Sequence, residues 1–100
     1  MSERPYRATP VDLPVKTVPT ATAEAVGDAG RYDALVLQAD PANTKTIYVG
    51  GSDVLTTTGL ALVPGASFSV QQASPADLWC ISADAAQQLR VVGFGPGEWP

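Results

Sequence analysis

Pro64-Gly65-Ala66-Ser67-Phe68-Ser69-Val70-Gln71-Gln72 is the stretch that decides the fold class. Proline with its fixed φ followed by glycine reads as a type II turn. After the turn, Phe68 and Val70 alternate with Ser67, Ser69 and Gln71. A period of two sends the apolar side chains to one face and the polar ones to the other, which marks a strand with one wet side.

The same reading extends in both directions. Upstream, Tyr32–Ala39 carries the dense centre Ala34-Leu35-Val36-Leu37, a strand buried on both faces, and Asp40-Pro41-Ala42-Asn43-Thr44 is a turn with Asn43 suited to a left-handed position. Lys45–Val49 alternates, Gly50-Gly51 closes it, Asp53–Thr58 reads as a threonine-rich strand, and Leu60-Ala61-Leu62 precedes the opening turn. Downstream, Ser74-Pro75-Ala76 is a turn, Leu78-Trp79-Cys80-Ile81 a strand, Asp84–Gln88 a turn and Leu89–Phe94 a last strand. Turn signals recur every 8–12 residues, which is the pattern of an all-β fold: a small antiparallel β-sandwich or barrel of six to seven strands. Its predicted core comprises Leu35, Leu37, Ile47, Val49, Phe68, Val70, Leu78, Ile81, Leu89 and Val91.

The beginning of the chain reads differently. Pro5, Pro10, Pro14 and Pro19 forbid a continuous helix and weaken sheet pairing. Val11, Leu13, Val15 and Val18 lie between them, so residues 1–26 read as an extended arm with apolar teeth, with a first strand within 20–26. A pure linker would be Gly/Ser-rich or charged. The sandwich then occupies 27–95, and 96–100 is a short tail. Trp99 in that tail either folds back on the domain or packs on a partner, and Tyr6 in the arm raises the same question.

Composition narrows the function. The chain has 100 residues, 45% of them apolar and 16% charged, enough for one core and short of the usual charge. Ten acids against six bases give a net charge of −4, which argues against nucleic acid as the main partner. Histidine is absent, removing the commonest general base and metal ligand. One cysteine excludes an internal disulfide framework, and Cys80 between Trp79 and Ile81 reads as a buried, unreactive thiol. Lys16 and Lys45 sit in the arm and at a turn edge, without the setting of an activated amine. Asp28, Asp40, Asp53, Asp77 and Asp84 fall at strand ends and turns, where Asp serves local hydrogen bonding. A calcium site from Asp40, Asn43 and Asp53 lacks the spacing of a calcium loop. No catalytic residue, cofactor or metal is expected. No signal peptide and no apolar run of about 18 residues is found, so a membrane is not an expected partner.

The phrases Leu35–Ala39, Pro41–Thr44, Ile47–Gly50, Gly59–Leu62, Pro64-Gly65, Phe68–Val70, Asp77–Trp79 and Leu89–Val91 together resemble small virion structural proteins of tailed bacteriophages. The resemblance spans residues 35–92. It implies a β-sandwich without enzymatic activity that coats or joins virion parts, either as a capsid decoration or cement protein or as a tail, adaptor or fibre-base component. The implied partner is the major capsid protein or another virion protein, and the implied location is the virion, after synthesis in the host cytoplasm. A homo-oligomer is expected, a trimer if it occupies quasi-threefold sites of an icosahedral shell. The expected attachment residues are Tyr6, Val11, Leu13, Val15, Val18 and Trp99, with the arm as the anchor that orders on its partner. A carbohydrate-binding module is a further alternative, with Tyr48 and Trp79 as its aromatics, although both read as buried.

Overall fold

The computed structural model describes residues 9–95. Nine antiparallel strands form two sheets: β1 (Pro10–Asp12), β2 (Lys16–Thr17), β3 (Glu24–Ala25), β4 (Tyr32–Ala39), β5 (Ile47–Gly50), β6 (Leu60–Leu62), β7 (Ser67–Ala73), β8 (Trp79–Ser82) and β9 (Gln88–Phe94). One sheet has the order β9-β4-β7, with β1 and β2 both paired along the outer edge of β9, and the other has the order β3-β8-β5-β6. The helical exception among the described residues is a 3-10 turn at Pro75–Asp77, capped by the Ser74 side chain. No helix among them is long and apolar enough to cross a membrane.

Alternation builds the core between the sheets. Leu35, Leu37 and Ala39 of β4 and Leu89 and Val91 of β9 face Ile47 and Val49 of β5, Leu62 of β6 and Cys80 of β8, all buried. Of the other expected core residues, Leu78, just after the 3-10 turn, packs against this cluster only partly buried, and Phe68 and Val70 are half-buried because β7 is an edge strand with solvent on one flank. Ile81 is buried at 4% exposure yet lies outside the central cluster. Its neighbours Cys80 and Ser82 point inward, so Ile81 faces outward, directly opposite Tyr48.

Three local readings differ from the structure. β4 is buried on one face only, with Ala34 and Val36 of the other face half-buried. Residues 53–58 form turns and no strand: Leu55 N–H donates to Thr58 Oγ1 at 2.9 Å, and the buried Val54 plugs the space beside Gly50 and Gly59. Threonine favours strands, but here its hydroxyl competes for the backbone. Asn43 is not left-handed; its side chain instead takes Gln88 as a strand would, Nδ2 donating to Gln88 O at 2.9 Å and Oδ1 accepting from Gln88 N at 2.8 Å. The type II turn at Pro64-Gly65 is present, with Gly65 at φ +85 and Ala66 N–H donating to Val63 O at 2.8 Å.

The largest difference is at the beginning. Residue 26 is no boundary between an arm and a body, because β1 and β2 continue the first sheet and β3 the second. β1 pairs Asp12 with Val92 and β2 pairs Lys16 with Leu89, so three residues of the segment oppose two of β9. The extra residue is a bulge holding Pro14, and Pro10 starts an edge strand. Those are two places where a sheet tolerates a residue without an N–H. The chain then crosses between layers. Val18 N–H donates to Gln87 O at 2.9 Å on one side, and Pro19 O accepts from Ser82 N–H at 2.9 Å on the other. Residues 10–26 thus clasp one open side of the sandwich.

Candidate functional site

The clasp is where the expected attachment residues fall, and the structure divides them. Val18 is 2% exposed and belongs to the central core; Leu13 packs against that core while its N–H donates to Val91 O at 3.1 Å. Val18 therefore offers no surface to a partner, which corrects the expectation for it, whereas Leu13 is half-buried and keeps part of its side chain outside. The physical reason is that β8 and β9 present unpaired backbone edges and an open core flank, and the segment satisfies both within its own chain. Val11 and Val15 remain outside, at 41% and 55% exposure. Tyr6 and Trp99 lie outside the described residues.

Leu13-Pro14-Val15 forms a ridge, since the bulge lifts the chain off β9. A groove of about 380 Å³ lies on one side of it, at the mouth between the sheets, walled by Val26, Tyr32, Pro75 and Val91, with Lys16 and Asp28 at its rim. A second, shallow groove of about 470 Å³ lies on the other side, over the outer face of the first sheet, with Val36, Val92, Asp12 and Arg90. The ring of Tyr32 lies over Gly93, where a Cβ would come within 2.5 Å of it, so glycine there is a condition of the Tyr32 placement. The ridge is apolar, and its charges are partly engaged: Lys16 pairs with Glu24 at 2.6 Å and Arg90 with Asp40 at 3.3 Å.

Reactive groups are held in structural roles. Cys80 is buried and its thiol donates to Glu24 O at 3.6 Å. Burial pushes its pKa up from 9.0 to about 11, opposed by the nearby Lys16 and reinforced by Glu24, so it is a protonated thiol at neutral pH. Asp40 accepts from Ala42 N–H at 2.9 Å and also pairs with Arg90, and Asn43 is taken up by Gln88, so two members of the conceivable calcium set serve their own turn. No group of three or more His, Cys, Asp or Glu side chains converges among the described residues.

One residue that sequence reasoning missed is Gln87, 3% exposed. Its Oε1 accepts from Thr44 and Lys45 N–H at 3.0 Å each, and its Nε2 donates to Thr44 Oγ1 and Ala85 O. It pins two turns together beside the point where Val18 N–H donates to the Gln87 carbonyl. A glutamine in a polar turn carries no sequence signal for this role. Tyr48 and Trp79, read as buried, are half-buried and share the outer face of the second sheet, Trp79 opposite Gly50 and Ala25. Comparison with known proteins adds no relative: no family model, curated protein or solved structure matches the chain.

Proposed function

We propose that this protein is a non-enzymatic structural module of a tailed-bacteriophage virion, which binds the major capsid protein and stabilises the shell through the ridge at residues 11–15. The observation that carries this reading is the exposure of Val11 and Val15, at 41% and 55%, on a rigidly paired edge beside two grooves. A valine raised on a bulge anchored at both ends loses little freedom when a partner covers it, so its burial is returned mostly as affinity. Each such valine contributes roughly 1.5–3 kcal/mol when fully covered. The partner class comes from the resemblance over residues 35–92. The low charge and the compact sandwich suit a protein that spreads weak contacts over neighbouring subunits.

The test is co-sedimentation with capsids of the phage that encodes the chain. Val15→Asp and Val11→Asp should each lower loading at least tenfold while leaving the melting temperature within a few degrees. Loading of both variants at wild-type occupancy removes the ridge as the contact. Copy number in purified particles separates decoration, with hundreds of chains, from a tail, adaptor or fibre-base ring with about a dozen. A carbohydrate-binding reading draws on the half-buried pair Tyr48 and Trp79 on one sheet face. Glycan-array binding that is lost in Trp79→Ala would favour it over capsid attachment.

A further inference from the structure

The sheets have four edges, and three are blunted. The β1–β2 edge carries Pro10, Asp12, Pro14 and a bulge; β3 is two residues long and contains Glu24; β6 has three residues and stops before Pro64. The fourth edge, β7, has seven residues, no proline and no charge, and among the described residues it pairs with β4 alone. An edge of that kind is a template for another strand. Its inward residues Phe68 and Val70 are half-buried rather than buried, so an added strand would complete the core at this flank.

We infer that β7 pairs with β7 of a second copy, antiparallel about a two-fold axis at Ser69, to make one sheet continuous across a dimer. The sequence of the strand is self-complementary in that register. Ser69 meets Ser69, Phe68 meets Val70, and Ser67 meets Gln71, so apolar residues face apolar ones on the inner side and polar face polar on the outer. The strand is uncharged, so a copy of the same chain pairs with it without bringing like charges together across the axis. The regular run also stops where the pairing stops, because Gln72 turns to φ +52 just after Gln71. The contact is isologous, and it closes at two copies. A single pair of strands is a small interface, so the dimer forms at high concentration or where copies are already neighbours. This inference does not depend on the capsid reading.

Sedimentation velocity of the full chain tests it, from about 1 µM to about 500 µM. The expected result is a shift from one to two chain masses with rising concentration. Ser69→Lys places two ammonium groups opposite each other on the exposed face, and should raise the dissociation constant at least tenfold, with an unchanged melting temperature and partial recovery in high salt. Gln71→Lys, which faces Ser67 in this register, should weaken the dimer far less. Ser69→Cys should cross-link into a covalent dimer on mild oxidation, an independent reading of the same register. A wild-type chain that stays monomeric throughout, a trimer by mass, or a Ser69→Lys dimer as tight as wild type overturns the proposal.

Discussion

Val18→Ala separates a clasp that belongs to the domain from an arm that belongs to a partner. Val18 is 2% exposed and packed within the central cluster. The substitution removes two methyl groups, at about 0.8 kcal/mol each in transfer free energy. The surrounding strands are held by their ladders and cannot collapse fully, so a cavity term brings the cost to about 2 kcal/mol. For a domain of this size that lowers the melting temperature by about 8–16 °C. Val15→Ala, three residues earlier and 55% exposed, should change stability by less than about 0.5 kcal/mol. Far-UV circular dichroism with heat and urea reads both. Deleting residues 2–20 removes β1, β2, Val18 and the Pro19 acceptor of Ser82 N–H together, and should leave a chain that does not fold cooperatively. If Val18→Ala melts with wild type and the truncated chain keeps a two-state transition, the clasp contributes nothing and the segment is a detachable arm.

Gln87→Ala strands the N–H groups of Thr44 and Lys45, and should cost about 1–3 kcal/mol by urea denaturation. Gly59→Ala forces a Cβ to 2.5 Å from Val54 and 2.8 Å from Val49 O at φ +81, so it should destabilise by at least about 1–3 kcal/mol, whereas Gly51→Ala, with open space around it, should be nearly neutral. Between pH 9 and about 11 the folded Cys80 keeps a proton that the unfolded chain releases, so stability falls as pH rises through that window. Cys80→Ala should flatten that part of the stability–pH curve, and at pH 8 the native thiol should react with a disulfide reagent far more slowly than in denaturant.

Fold class was legible in the sequence because strand alternation and turn chemistry are local. The Phe68–Val70 alternation and the Pro64-Gly65 turn report their own environment and stand as read; the apolar centre of β4 is the strand it was read as, but buried on the Leu35–Leu37 face alone. What sequence cannot carry is which edge a segment finds. Val11 and Val18 look alike between prolines, yet one is 41% exposed and the other 2%. The difference arises because β9 and β8, far along the chain, leave open edges that the segment can satisfy first in one sheet and then in the other. Proline disfavours a strand interior, but an edge with a bulge removes the objection, and only the assembled sheet creates that edge. The ridge has the same origin. Pro14 guarantees an irregularity, and the register of β1 and β2 against β9 decides that it lifts Val15 into solvent while Leu13 stays down on the core.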